Sequence, residues 1–74
     1  MSQDKKLENR ILLAKNIKVL RLKNKFKREE MSLHLDLDNS YISKLEKGRI
    51  NITLDKLSLI AGFFGVKIAD LFKS

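Results

Sequence analysis

The 74-residue sequence has no cysteine, no proline and only one histidine. Without cysteine the chain cannot form a disulfide, and one histidine leaves too few ligands for a tetrahedral structural zinc site. The lack of cysteine also agrees with a reducing compartment, so we expect a cytoplasmic protein. Because a chain this short buries only a modest core, dimerisation is the remaining common way to stabilise it.

Long apolar runs and catalytic motifs are absent too. No apolar segment approaches the ~20 residues of a membrane-spanning helix, and the polar N-terminus lacks a signal-peptide core, so no membrane partner is expected. The sequence also has no glycine-rich phosphate loop. We therefore expect neither an enzyme nor a cofactor or metal site, and a chain without room for a ligand-sensing domain is not expected to bind a small-molecule ligand.

Positive charge is plentiful and unevenly placed. The net charge is +7, and ten Lys or Arg residues but one acid, Glu8, lie between Lys5 and Arg28. A basic block of this kind suggests a polyanion, either nucleic acid or an anionic membrane face. The alternative is a solvated helix surface, and charge alone favours neither interpretation.

The spacing of apolar residues is helical, with no alternating run of strand length. It predicts five short helices, at about residues 5–24, 28–35, 39–47, 54–64 and 68–72. Gly48 is expected to end the third helix as a left-handed residue, and Gly65 to end the fourth. Asp38 and Thr53 are the expected N-caps of those two helices.

The apolar faces of these helices predict the core. Leu13, Ile17 and Leu20 share one face of the first helix, and Leu7 and Ile11 are expected to continue it. The inward residues expected in the second to fourth helices are Met31, Leu35, Ile42, Leu45, Leu54, Leu57 and Phe64, with Ile60 or Ala61.

Only three residues separate the second predicted helix from the third, which is typical of a helix-turn-helix. Ser32 is small, as the crossing of the two helices requires. Asp36 tolerates left-handed backbone angles better than most residues other than glycine. Leu37 then provides an apolar plug between the helices, and Ile42 and Leu45 provide the inward face of the second one.

The stretch FKREEMSLHLDLDNSYISKLEKGRINITLDKLSLIAGFFGVKIADLF resembles the Cro/C1-type (XRE-like) helix-turn-helix transcriptional regulators. SYISKLEKG is the most specific part, and the similarity runs from about Leu13 to Phe72. The resemblance implies an all-α, compact five-helix bundle of the lambda-repressor-like type with a central helix-turn-helix. It also implies binding to double-stranded DNA, usually as a homodimer.

The resemblance divides the chain into a helix-turn-helix domain at residues 12–74 and an N-terminal extension of the first helix at residues 1–11. The role of this extension stays open between packing on a partner subunit and lying near DNA with Lys5, Lys6 and Arg10.

Four positions depart from the family pattern. The family usually has Ser or Thr at Lys27 and Ser at Lys67, and a lysine cannot accept the capping hydrogen bond, so acids 29 and 30 must compensate in the second helix. Arg28 stands where the family usually has a Gln that touches a phosphate. Asp36 replaces the usual turn Gly, which we expect to cost stability without abolishing the turn.

In this architecture the N-terminal half of the second helix of the motif enters the major groove and reads base edges. The residues expected to read bases are Asn39, Ser40, Ser43 and Lys44. The residues expected to contact the DNA backbone are Lys27, Arg28, Tyr41, Lys47, Arg49 and Asn51. For Tyr41 a half-buried packing role is an equal alternative, and Lys47 is equally a solvated charge at the helix end.

Two further sets of residues follow from the resemblance and from the apolar surplus. Arg21 and Glu46 match a family pair that links the first and third helices, so we expect a salt bridge that also aims Arg21 at a phosphate. An excess of apolar residues predicts a dimer interface at Leu59, Phe63, Ile68, Leu71 and Phe72. The alternative is that Ile68 and Phe72 close the monomer core. His34 is not expected to bind metal.

The resemblance implies a sequence-specific transcriptional regulator of bacterial or phage type, a repressor or an activator. A C2 homodimer would place its recognition helices roughly 34 Å apart on a palindromic operator. RNA polymerase is a candidate partner for activation. The run LDNSYISKLEKGRINITLDKL looks most like restriction–modification controller proteins. A phage Cro-like repressor and an antitoxin-like protein-interaction module are the alternatives.

Overall fold

Residues 2–74 fold as four α-helices followed by one 3₁₀ helix. The computed structural model describes the backbone of residues 2–74 and the side chains of residues 5–74. The elements are α1 (Ser2–Lys23), α2 (Arg28–Leu35), α3 (Asn39–Glu46), α4 (Leu54–Phe64) and the 3₁₀ helix (Ile68–Phe72). The all-α prediction is confirmed, although the fifth predicted helix is of the tighter 3₁₀ type. Met1, the first residue of the predicted N-terminal extension, lies outside the described residues.

The core draws a fully buried side chain from each of the five helices. These side chains are Ile17, Met31, Ile42, Leu45, Ile60 and Leu71. The inward faces predicted for α1, α2 and α3 are confirmed at their central residues. Among residues 2–74, no helix has both the length and the apolar composition needed to cross a membrane.

Two of the predicted apolar faces are wrong at their ends. Leu54 is 67% exposed because it is the first residue of α4, one turn before the first buried residue of that helix, Leu57. Leu7 and Ile11 are also more than half exposed. Leu7 lies six residues, about 1.7 turns, before Leu13, so the two side chains leave α1 on different sides.

The helix starts are capped by three different residue types. Thr53 Oγ1 accepts a hydrogen bond from the backbone N–H of Lys56 at 3.2 Å, as predicted. Asp38 is the N-cap residue of α3, as predicted, but its side chain does not make the expected capping hydrogen bond. Its carboxylate is exposed to solvent, and its backbone carbonyl accepts the first bonds of α3, from the N–H groups of Tyr41 and Ile42.

The acid three residues after each lysine N-cap makes the other bond of a capping box, since it accepts from the backbone N–H of that lysine. The backbone N–H of Lys27 donates to Glu30 Oε1 at 2.9 Å, and that of Lys67 donates to Asp70 Oδ2 at 3.0 Å. A hydrogen bond from Lys73 and the one from the Lys67 backbone hold the pKa of Asp70 below its ordinary value. Both helices therefore keep one half of a reciprocal capping box.

Candidate nucleic-acid interface

The turn between α2 and α3 has the geometry that the sequence predicts. Asp36 adopts the left-handed conformation, with φ 53° and ψ 45°. The backbone N–H of Leu37 donates to the carbonyl oxygen of Ser32 at 2.9 Å, which closes the end of α2. Ser32 is buried, and Leu37 packs against the core. The turn thus fixes the angle between α2 and α3, and with it the face of α3 that is exposed at the surface.

α3 is anchored on one side and polar on the other. Ile42 and Leu45 are 0% and 2% exposed and hold the helix against the core. The four side chains predicted to read bases are Asn39, Ser40, Ser43 and Lys44. Three of them are exposed and Ser43 is half-buried, and none makes a side-chain hydrogen bond to another residue in the part of the chain that the structure describes. Their polar groups are therefore available to an outside partner.

A buried ion pair joins α1 to α3. Arg21 donates from Nε to Glu46 Oε2 at 2.6 Å and from Nη2 to Glu46 Oε1 at 3.1 Å. Arg21 Nη1 also donates to the carbonyl oxygen of Phe26 at 2.9 Å. The two charged side chains are 8% and 2% exposed. The predicted Arg21–Glu46 salt bridge is therefore present in the structure, and it is bidentate, a geometry that fixes the orientation of both side chains.

Glu46 has a second cationic partner that the sequence does not reveal. Arg28 Nε donates to Glu46 Oε1 at 3.2 Å. Arg28 is the first residue of α2 and its side chain is 45% exposed, so the guanidinium lies partly in solvent. Because Nε makes the contact with Glu46, both Nη groups of Arg28 stay available as donors to an anion.

The other residues predicted to contact the DNA backbone differ in how far their side chains are exposed to solvent. Lys27, Lys47, Arg49 and Asn51 are exposed, around the ends of α2 and α3. Tyr41 is half-buried against the core, and burial raises the pKa of its hydroxyl.

The ammonium of Lys56 lies 4.6 Å from the centroid of the Tyr41 ring, which places a cation over the aromatic face. The packing alternative for Tyr41 therefore has direct structural support. Sequence reasoning did not single out Lys56, because the contact joins α3 to α4 across the fold.

The surface predicted for dimerisation is only partly exposed. Leu71 is fully buried in the core of the single chain, so its assignment to the interface is wrong. Ile68 and Phe72 are half-buried and pack against the core, which supports the alternative that they close the monomer. Leu59 is 47% exposed, and Phe63 is half-buried with its ring 4.9 Å from that of Phe26.

The acidic and histidine side chains of residues 5–74 are dispersed. In residues 5–74, whose side chains are described, no three His, Cys, Asp or Glu side chains are grouped so that they could hold a metal ion. His34 lies instead against Phe63, with their ring centroids 5.7 Å apart.

Comparison with known proteins agrees with this geometry. The sequence profile of the helix-turn-helix family HTH_3 matches residues 17–71. Control protein C.BamHI of Bacillus amyloliquefaciens is 33% identical over 63 residues, which are 84% of this chain and 78% of that protein. Control protein C.MunI of a Mycoplasma species is 31% identical over 64 residues, covering 85% of this chain and 86% of that one.

Solved structures with the same fold include a hypothetical transcription factor and a restriction-modification controller protein. The hypothetical transcription factor NHTF from Neisseria superposes with a TM-score of 0.83 at 30% identity, covering 90% of this chain and 75% of that one. The restriction-modification controller protein C.AhdI from Aeromonas hydrophila superposes with a TM-score of 0.80 at 22% identity, covering 85% of this chain and 96% of that one. At this lower identity the second likeness shows the fold alone.

Proposed function

The chain belongs to the helix-turn-helix family of DNA-binding transcription regulators, and from this premise we propose that it binds a palindromic operator as a homodimer, with the start of α3 reading the bases. The observation that carries this proposal is the polar, outward-facing start of α3 beside a tight turn. Asn39 and Ser40 are exposed there, on a helix held in place by buried Ile42 and Leu45. A helix presented in this way fits the major groove of B-DNA.

Base reading is assigned to Asn39, Ser40, Ser43 and Lys44. Asn presents one donor and one acceptor, which suits the adenine edge, and Lys donates to the two acceptors of guanine. Ser43 is half-buried and so has less reach than Asn39. We therefore assign the largest share of sequence discrimination to Asn39 and Ser40.

Backbone contact is assigned to the basic and amide side chains that surround α3. Arg28 extends from the first turn of α2 with both Nη groups available, and Lys47, Arg49 and Asn51 follow α3. Contacts of this kind position the protein on the duplex without reading sequence, and they make its affinity depend on salt.

The proposed homodimer rests on a stretch that carries no charge. Residues 57–66 contain no charged side chain, although a third of the whole chain is charged. Two copies of a chain with a net charge of +7 repel each other least when the uncharged stretch of one copy lies against the same stretch of the other. Leu59 is 47% exposed on this face. The face pairs with an identical face in a C2 dimer.

Gly62 is the second observation that supports this dimer face. It is exposed in the last turn of α4, where glycine is still a weaker helix former than alanine. A Cβ built at Gly62 meets no other atom of the chain within 4 Å, so the fold of one chain does not require the glycine. Close approach of a second chain would require it. Since Leu59 lies one turn away, the Leu59 side chain of one subunit can enter the notch at Gly62 of the other.

Control of a restriction–modification system is the proposed biological role. Two relatives above 30% identity are called control proteins, and the match to C.AhdI supports a fold shared with a restriction-modification controller. A role in activation would add RNA polymerase as a partner. The chemistry of the DNA contacts is the same for a repressor and for an activator.

Selection of bound duplexes from a random DNA pool tests the proposed function. We expect enrichment of a palindromic sequence whose half-sites lie about one helical turn, roughly 34 Å, apart. Enrichment of a single unrepeated half-site would contradict the dimer but keep the base-reading assignment. No enrichment, with the protein folded by circular dichroism, would contradict the proposed function.

A further inference from the structure

A groove beside the loop after α3 is lined, apart from Asn51, by residues to which no DNA contact has been assigned so far. It measures about 310 Å³ and lies between the N-terminal half of α1 and the loop that joins α3 to α4. Its lining comprises Lys6, Asn9, Arg10, Leu13, Ile50, Asn51, Ile52, Leu57 and Phe72. The groove thus joins the N-terminal extension of α1 to Asn51, a residue assigned to the DNA backbone.

The polar lining of this groove consists of two cations and two amides, with no acid among the described residues that line it. Lys6 and Arg10 lie one turn apart on α1, and the amides of Asn9 and Asn51 complete the polar rim. The ion pairs found among the described residues involve neither Lys6 nor Arg10. A lining that carries positive charge and no carboxylate accepts an anion and disfavours a cation.

The apolar floor strengthens the attraction of this rim for an anion. Leu13, Ile50, Ile52, Leu57 and Phe72 form the floor, where the core of the bundle reaches the surface. A cleft with walls of low dielectric constant and charges of one sign concentrates the electric field. Lys6 and Arg10 therefore act more strongly on an anion at this groove than two lysines on an open helix face would.

The loop after α3 passes close to α1 at Gly48. Gly48 has φ +72°, and a Cβ built on it would lie 3.5 Å from the carbonyl oxygen of Arg10. The backbone after α3 therefore passes directly over the turn of α1 that carries Arg10. An anion bound by Asn51 at this loop therefore lies beside the groove that Lys6 and Arg10 line.

We propose that Lys6 and Arg10 form a second phosphate-binding site, which receives the DNA backbone next to the phosphate held at the loop after α3. This inference rests on the proposed function, and it extends the DNA-contacting surface to the N-terminal part of α1. The ligand is the phosphodiester of the operator, because the groove is continuous with the loop already assigned to DNA.

The test compares two charge-matched double variants in the full chain. Lys6→Gln/Arg10→Gln removes the two cations of the groove, while Lys15→Gln/Lys18→Gln removes two exposed cations from elsewhere on the same helix. Lys15 follows Lys6 by nine residues, about 2.5 turns, and so lies on the opposite side of α1. Glutamine keeps part of the aliphatic stem, and thermal unfolding checks that both proteins stay folded.

The readout is the slope of log affinity against log salt for the selected duplex. Each lost phosphate contact lowers this slope by about 0.9. We expect the groove variant to lose about one to two units of slope and the Lys15/Lys18 variant to lose clearly less. Ethylation of single phosphates should block the wild-type protein at positions where the groove variant is insensitive.

Three outcomes would overturn the inference. Equal slopes for the two double variants would remove Lys6 and Arg10 from the interface, while normal binding by the wild-type protein would leave the proposed function intact. A monomeric groove variant, at concentrations where the wild type is dimeric, would assign the groove to the subunit interface. Tight binding of inorganic phosphate without DNA, detected at the groove by NMR, would identify a site for a free anion.

Discussion

Glu46 Oε1 accepts a hydrogen bond from Arg28 Nε at 3.2 Å, although 18 residues separate the two along the chain. The same carboxylate holds the buried Arg21. One acid at the end of α3 therefore orders a structural cation on α1 and a solvent-facing cation at the start of α2. Through Glu46, the stability of the bundle and the position of a DNA contact depend on the same side chain.

Replacing Glu46 by alanine should destabilise the fold strongly. The substitution leaves the guanidinium of Arg21, only 8% exposed, without its partner, and breaking a buried pair on one side costs about 3–5 kcal/mol. Urea denaturation measures the loss in free energy of unfolding. Glu8→Ala makes the same change in net charge at an exposed position and should stay within about 0.5 kcal/mol of wild type. Equal effects of the two substitutions would show that the ion pair does not stabilise the fold.

Replacing Arg28 by glutamine should weaken DNA binding without unfolding the protein. The side chain is 45% exposed, so losing its contact with Glu46 should cost less than about 1 kcal/mol of stability. The loss of one phosphate contact should lower the salt slope of binding by about 0.9 for every sequence bound. Lys15→Gln removes the same charge from the outer side of α1 and is the control. If Arg28→Gln leaves the slope at its wild-type value, Arg28 does not contact a phosphate.

The sequence predicted those parts of the fold that depend on neighbouring residues. The left-handed Asp36, the plug Leu37 and the Thr53 cap each depend on a few adjacent positions, and the structure contains all three. The capping role of Asp38 was not met, because a residue can occupy the N-cap position while its carboxylate stays in solvent.

Features that depend on the packing of distant helices were not predictable from local spacing. Leu71 and Leu59 both belong to apolar helical faces, yet Leu71 is fully buried and Leu59 is 47% exposed. Periodicity identifies an apolar face, but only the packing of the helices decides what covers it. The contact between Arg28 and Glu46 likewise has no signal in the sequence, because it depends on how α2 and α3 cross in the folded chain.

Replacing Leu59 by glutamate should dissociate the proposed dimer. Leu59 is 47% exposed in the single chain, so the monomer tolerates the carboxylate. In a C2 dimer the interface would contain two such carboxylates, one from each subunit. We expect the dimer dissociation constant, measured by sedimentation equilibrium, to rise by at least about tenfold, which corresponds to 1.4 kcal/mol. Leu33→Glu makes the identical change at a leucine that is 85% exposed on α2 and should leave dimerisation unchanged. If both variants dissociate alike, the α4 face is not the interface.

Replacing Gly62 by glutamine should have opposite effects on the monomer and the dimer. Glutamine is a good helix former, and the open space around Gly62 accepts a side chain, so the stability of the single chain should rise by up to roughly 0.5 kcal/mol in this last turn of α4. In the proposed dimer the same side chain fills the notch that receives Leu59 of the other subunit, and the dissociation constant should increase. Thermal unfolding of dilute protein and sedimentation measure the two effects separately. A more stable chain with unchanged dimer affinity would show that α4 does not cross a partner at Gly62.

The central claim is that the start of α3 reads bases, and the ratio of affinities for the selected duplex and a scrambled duplex tests it most directly. For Asn39→Ala and Ser40→Ala, each lost contact should lower the ratio, and the corresponding difference in binding free energy between the two duplexes should fall by about 1–3 kcal/mol. Affinity for the scrambled duplex should change little. Both side chains are exposed, so the fold should be unaffected. If affinity for the two duplexes fell in parallel and the ratio stayed at its wild-type value, Asn39 and Ser40 would not be reading the operator.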